Sequence, residues 1–385
     1  MPFLAMGSGT AYAGWRLRKK LDAEQIATAA PATAAHAPAK DSLEALLKVE
    51  ALAVEVGLGL VKLVEGGVNS PLLRRIAGIR RQMAADLGYL VPPVRVTDNL
   101  QLRAGEYTVL LKGAEIARFE ILQNRELAIH PGGGAGPAAA ALEGIPGKDP
   151  AFGIAALWIL PEKSEDARAL GYTIVDAAGV LGTHLAELIR RHAHELLSRQ
   201  ETKTILDRAA EENARLVEDL VPKLLPMSSV QKVLQNLLRE RVSIRDSVTI
   251  LEALGEGAVM TKNPVLLTEF VRQALRRALV RPFLNASGEL PAFFVDLQME
   301  QAVEAAVEYT EHSSHLSLPP QKVRDIMERV TRAVGQADTP VAAVTSSAAR
   351  YYLRQLAEGS TPNLFFLSHN EIPTGVRVVS LGVIA

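Results

Sequence analysis

The chain has 385 residues, 48% of them hydrophobic and 22% charged, with a formal net charge of −1 and no cysteine. That length exceeds one ordinary core, and the composition is that of a folded chain, so two or more domains or several subdomains are predicted. Near-neutral charge with arginines spread over helix faces supplies no field for nucleic acid, and the missing cysteines exclude disulfides, thiol catalysis and Cys-ligated zinc, as suits a reducing compartment.

The apolar run Pro2 to Trp15 ends in Arg16, Arg18, Lys19 and Lys20. Roughly 14 helical residues reach ~21 Å, short of the ~30 Å hydrocarbon layer. Trp15 followed by a cationic run is nevertheless how a membrane helix exits on the cytoplasmic side, whereas a secretory signal carries its charges first. Residues 1–20 are therefore predicted to be the end of a last transmembrane helix and its cationic stop. From Ala29 to Lys40, with Pro31 and Pro38 and no bulky apolar residue, there is nothing to pack, so 21–42 reads as a linker; partly PPII, it reaches ~35 Å.

A first subdomain is predicted over 43–127. Leu52 to Gly57 has strand character, Asn69-Ser70-Pro71 caps a helix, and Leu72, Ile76, Ile79, Met83 and Leu87 place its apolar positions on one face. Arg74, Arg75, Arg80 and Arg81 read as a solvated outer face rather than a binding patch. Strands follow at Val94–Val96, Tyr107–Lys112 and Glu115–Ile121, with Gly113 making a turn. The run Gly132-Gly133-Gly134-Ala135-Gly136 lacks the Gly-Lys-[Ser/Thr] that completes a phosphate cradle, and reads as a flexible lip.

Two prolines and three glycines between Gly144 and Gly153 forbid a helix or central strand and predict a shaped loop carrying Phe152, with Asp149 before Pro150 bonding nearby backbone N–H groups. Ala155–Leu160 reads as a buried strand, Glu162–Leu170 as a short helix and Tyr172–Val175 as a second strand. Asp176 then precedes a helix to about Leu197, with Leu181, Leu185, Leu188, Ile189 and Leu196 at helical spacing. At ~100° per residue Thr183 lies about 200° from Leu181, which points it outward with Glu187 and Arg190. The residues leave two accounts open. In one, Phe152 plugs a local core, Asp149 holds a turn and Thr183 is ordinary helix surface; in the other, the three form a surface dimple. Residues 128–170 read as a small subdomain inserted into the first, which resumes over 171–197, and in the second account the dimple lies between them.

Residues 198–285 read as all helix, with starts at Ser198, Ser228, Ser243 with Asp246, and Asn263-Pro264. A helix-turn-helix using Arg239, Arg241 and Arg245 as phosphate contacts conflicts with the neutral charge. Over 286–385 strands at 292–296, 341–344, 365–367 and 376–384 alternate with helices at 298–309, 320–334 and 346–357, a C-terminal α/β subdomain. The fold class is thus mixed α+β with several subdomains: an α/β first subdomain with an inserted small α/β subdomain, an all-helical third and a C-terminal α/β subdomain. His192 and His194 are about 200° apart on a helix and His184 is ~12 Å further along it, so they share no metal. Glu311-His312 and His315 lie in a Ser-containing, turn-like stretch with no further obvious ligand, and neither a Ser-centred elbow nor a paired-carboxylate motif occurs. No catalytic residue, metal or cofactor is expected.

The run Lys148 to Trp158, with Gly171-Tyr172-Thr173-Ile174-Val175-Asp176 and Thr183-His184-Leu185, resembles the cytoplasmic region of the FlhA family, the export-gate protein of the flagellar type III secretion apparatus. Ile79 to Met83, Leu87 to Leu100 and Glu106 to Gly113 are similar to that family's first subdomain, and Leu367-Ser368-His369-Asn370-Glu371-Ile372-Pro373 resembles the closing motif of its flagellar branch. The resemblance runs from about Leu43 to the C-terminus. It implies a receptor and gate component of the bacterial inner membrane, this region facing the cytoplasm. Such a component docks flagellar export chaperones with bound substrates, orders their export, and works with other export-apparatus proteins including the export ATPase complex. It also implies a homo-oligomeric ring, a nonamer in the family, a linker engaged in subunit contacts and export control, and transport energy taken from the proton gradient through a membrane part. Asp149, Phe152 and Thr183 match the family's chaperone-docking residues one by one. The alternatives are the equivalent gate protein of a virulence injection apparatus and, further off, a soluble enzyme or helix-turn-helix regulator.

Overall fold

In β1 (Leu52–Val56) Leu52, Val54 and Val56 are buried while Ala53 and Glu55 are half-buried, the period-two pattern of a strand covered on one face. Its partners are β2 (Val94–Asp98), parallel, and β3 (Glu106–Leu111), antiparallel; β3 also pairs with β4 (Ala114–Glu120), giving the order β2-β1-β3-β4. Parallel pairing of β1 with β2 requires a crossover, and α1 (Pro71–Leu87) supplies it. Ser70 caps α1 by accepting from the Leu73 N–H at 3.2 Å, with Pro71 at the first position. Lys112 and Gly113 form the β3–β4 turn at φ of 49° and 82°, a two-residue hairpin whose twist matches that of the strands.

The computed structural model describes residues 49–67, 70–130, 142–335 and 339–385. The expected membrane exit within 1–20, the linker 21–42, Asn69 and the glycine lip Gly132–Gly136 lie outside the described residues.

Gly88 ends α1 at φ 93°, its N–H returning to the Ala84 carbonyl. A Cβ there would lie 2.2 Å from the Arg245 backbone nitrogen, beside the 2.8 Å hydrogen bond from the Ile244 N–H to the Leu87 carbonyl. Gly88→Ala therefore combines a left-handed backbone with a backbone clash. The expected loss is about 2 kcal/mol or more, read as a lower urea midpoint at unchanged slope; an unmoved midpoint would show that the neighbouring loop yields without cost.

The second sheet contains β5 (Glu126–Ile129), β6 (Ile145–Lys148), β7 (Ala155–Ile159) and β8 (Thr173–Val175), all antiparallel in the order β6-β7-β5-β8. Two expectations change here. The Gly144–Gly153 segment is not loop throughout, because β6 is an edge strand in which Pro146 needs no donor on its open side. The strand at Thr173–Val175 pairs with β5 instead of returning to the first sheet, so only the helix after it returns. Under this sheet α2 (Ser164–Ala169) helps close a small core of Ala128, Leu142, Ile159, Ala167 and Tyr172.

Asp176 caps α3 (Ala177–Arg191) by accepting from the Gly179 N–H at 2.9 Å, and Leu181, Leu185, Leu188 and Ile189 are buried as their spacing predicts. Glu187, expected outward, is buried: the helical region covers it and Arg241 donates to its carboxylate at 3.1 Å. A break at His192 separates α3 from α4 (Ala193–Leu196), where the buried Tyr89 hydroxyl donates to the Ala193 carbonyl at 2.7 Å.

Five helices follow: α5 (Arg199–Leu220), opened by a Ser198–Glu201 capping box, α6 (Met227–Arg239), α7 (Ser247–Met260) capped by Asp246, α8 (Pro264–Ala274) capped by Asn263, and α9 (Arg276–Val280). The last region contains β9 (Leu290–Val295), α10 (Leu297–Glu304), β10 (Val307–Tyr309), β11 (Ser314–Leu316), α11 (Pro320–Val334), β12 (Val341–Thr345), α12 (Ser347–Ala357), β13 (Leu364–Ser368) and β14 (Val378–Ile384). Its main sheet is parallel in the order β13-β12-β9-β14. The helix expected over 298–309 stops at Glu304, because Val307–Tyr309 pairs with Ser314–Leu316 and the Thr310 N–H closes the hairpin on the Ser313 carbonyl at 2.7 Å.

Candidate functional site

Between β6 and β7 the chain makes a closed turn. The Asp149 N–H donates to the Ile154 carbonyl and the Gly153 N–H to the Asp149 carbonyl, both at 2.8 Å. Asp149 Oδ2 accepts from the Ala151 N–H at 3.1 Å and the Phe152 N–H at 2.8 Å, and Gly153 takes φ 71°, which releases the chain after the ring. The Asp149 side chain and the backbone N–H groups of Asp149, Ala151, Phe152 and Gly153 are thus bonded within the turn. Asp149 is only 3% exposed, whereas Phe152 at the apex is 60% exposed. Asp149 therefore holds the turn, and Phe152 is not a core plug.

Thr183 is exposed on α3, as its spacing predicts. Its link to the turn is indirect. The next residue, His184, is buried and joined to the Tyr107 hydroxyl of β3 by a 2.7 Å hydrogen bond through Nδ1, and the Phe119 ring packs within 6.5 Å of both. Burial raises the Tyr107 phenol pKa well above its ordinary value, and the Asp149 charge raises it further. The structure therefore joins Asp149 and Phe152 directly, while Thr183 stands on α3 beside the Tyr107–His184 pair with no hydrogen bond to the turn. Sequence reasoning missed Tyr107 and His184; the alternation of Tyr107, Val109 and Leu111 along β3 points Tyr107 inward, but no local pattern names its partner.

Burial, with the Arg191 charge adding to it, pushes the His184 imidazole down to about 4 from 6.5. In the unfolded chain the ring takes a proton near its ordinary value while the folded protein resists it. The stabilisation is therefore complete above about pH 6.5 and is lost as pH falls from there toward 4. We expect His184 to account for about 1–2 kcal/mol of stability lost by pH 5, less than the full shift implies because an edge of the ring is screened by solvent. Urea midpoints of wild type and His184→Asn at pH 7.5 and pH 5 measure it, the variant losing less; equal losses would assign the acid sensitivity to other groups.

Beyond this turn, charged groups meet where the helical region abuts the C-terminal sheet. Arg272 of α8 donates to both Glu371 oxygens at 2.6 and 3.0 Å and to Glu240 at 3.0 Å; Arg350 of α12 donates to Glu240 at 3.0 Å and through Nε to Glu269 at 2.9 Å. All five side chains are buried. Burial pushes the Glu240 carboxyl up, but Arg350 and Arg272 more than offset it and hold the group below the usual carboxylate range, whereas for Glu269 burial prevails over Arg350. Arg350 and Glu371 follow the carboxyl ends of β12 and β13, where an open parallel sheet ordinarily presents a ligand crevice. Here Arg350 and Glu371 are met by Glu240, Glu269 and Arg272.

The chain matches the FHIPEP family over residues 1–377 and belongs to it. The flagellar biosynthesis protein FlhA of Bacillus subtilis is 38% identical over 351 residues, covering 89% of this chain and 51% of that protein. The chain spans about half the length of the curated relatives it matches. Among solved structures, the Chlamydia pneumoniae CdsV protein superposes with a TM-score of 0.77 at 25% identity, covering 88% of this chain and 98% of that one. Nonameric EPEC SctV-C shares the fold at a TM-score of 0.69 and 22% identity, covering 87% of this chain and 98% of that one. Among the described residues no helix is long and apolar enough to cross a membrane, and no group of His, Cys, Asp or Glu has the geometry to hold a metal ion.

Proposed function

We propose that this chain is the docking platform of a flagellar protein export gate, receiving export chaperones with their bound substrates on a surface centred on Phe152 and ordering their export. The observation that carries this reading is the closed Asp149 turn, which spends its polar groups internally and leaves a large ring in water. A side chain 60% exposed on a rigid turn is the geometry of an anchor that gains its burial from a partner. Ile154, also exposed, adjoins it across the turn, and Thr183 supplies a hydroxyl from α3. Asp149 acts chiefly by positioning Phe152, since its carboxylate is inside the turn.

The FlhA relatives support the flagellar branch. The nonameric assembly of SctV-C supports a ring of copies beneath an inner-membrane pore, this region facing the cytoplasm and other export proteins, the export ATPase complex among them, acting on the same platform.

Titrating the chain with a flagellar chaperone–substrate complex tests the turn. Asp149→Asn keeps a side-chain oxygen for the two N–H groups and is expected to retain affinity within about threefold, while Asp149→Ala, which orphans both, is expected to lose about tenfold. Equal affinity for both variants and wild type, with the fold intact, would remove the turn from the docking surface.

A further inference from the structure

A cavity of about 700 Å³ opens between the helical region and the edge strand β13. Its walls are apolar, formed chiefly by Leu275, Leu279, Phe283, Phe365 and Leu367, and its floor is the Arg272 end of the buried ion cluster. The Phe283 and Phe365 rings meet at 5.4 Å between centroids, and Arg354 stacks over Phe365 at 4.8 Å, so this wall is held in place from behind.

Most of the charged groups around the mouth are engaged within the fold. Arg272 is engaged by Glu371 and Glu240, Arg241 by Glu187 at 3.1 Å, and Asp246 accepts from the Thr249 N–H at 3.2 Å as the cap of α7. Arg245 is exposed at the rim and has no ion-pair partner among the described residues. An apolar chamber of this volume falls in the range of small-molecule sites, roughly 300–1,000 Å³, and Arg245, the one lining cation without an ion-pair partner, is placed to meet an anionic group at the lip.

We propose that this cavity binds a small amphipathic anion, its apolar body against Leu279, Phe283 and Phe365 and its carboxylate at Arg245. The site is separate from the Phe152 turn and does not depend on the docking reading. A neutral ligand of the same shape gains the same burial but not the charge-assisted contact, and a cationic one meets repulsion at the lip.

Calorimetric titration with octanoate, octanol and octylammonium tests this on the whole chain. Octanoate is expected to bind about fivefold or more tighter than octanol, with octylammonium weakest. Arg245→Gln is expected to bring octanoate and octanol to equal affinity without moving the melting temperature. Ala278→Trp, at the lip of the cavity on α9, is expected to abolish binding of both. Failure of octanoate to bind, an anion preference that survives Arg245→Gln, or octanoate binding undiminished in Ala278→Trp would each overturn the assignment.

Discussion

Replacing Phe152 by alanine is expected to weaken docking of chaperone–substrate complexes by roughly thirtyfold while shifting the melting temperature by no more than about 2 °C. The two halves of that expectation have one cause. At 60% exposure the ring gains little from folding, so its removal costs the isolated chain little, as for other surface substitutions. Against a partner, the same ring is the one large apolar group at the apex of a turn whose backbone is closed by hydrogen bonds from Asp149 to Ile154 and from Gly153 to Asp149. Truncating an anchor of this kind typically costs about 2 kcal/mol or more of binding. Had the ring been a core plug, the order would reverse, with about 3–5 kcal/mol lost from the fold. Calorimetric titration of the variant beside a thermal melt separates the cases, and a lowered melting temperature with full affinity would return Phe152 to the core.

Arg350→Ala is expected to be the most destabilising single change in the chain, by about 3–5 kcal/mol, close to the whole stability of many domains. The guanidinium is fully buried between Glu240 and Glu269, and its loss leaves two carboxylates in a low-dielectric interior with Arg272 as the remaining nearby cation bonded to Glu240. Arg350→Met, which restores volume but not charge, is expected to fare no better, because the cost is that of the unpaired carboxylates. The measurement is the urea midpoint of each variant at neutral pH. A loss of only about 1 kcal/mol would mean that the carboxylates take up protons or water without penalty. Glu371 belongs to the closing motif Ser368 to Pro373, so one physical role of that motif is to return a carboxylate to α8 and bind the helical region to the last sheet.

Much of the local structure was legible before any coordinates. Ser70, Asp176, Ser198, Asp246 and Asn263 each begin the helix that follows, because an N-cap acts through a hydrogen bond two or three residues long. The exposed position of Thr183 followed from helical spacing alone. The errors were of another kind. Ile145–Lys148 was read as loop because proline and glycine argue against a central strand and say nothing about an edge; Glu187 was placed outward because the spacing of one helix does not reveal which other element covers it.

By itself, then, the amino-acid order determined where helices start, that a rigid turn would carry Phe152, and that apolar stripes would face inward, since capping, proline and glycine restraint and side-chain period all act within a few residues. The tertiary structure alone decided that β8 completes the second sheet, that Tyr107 reaches His184, and that Arg350 meets a Glu240 lying 110 positions away. Pairing and burial are properties of segments brought together through space, and the energy of a buried charge depends on which distant partner reaches it, which no local pattern carries.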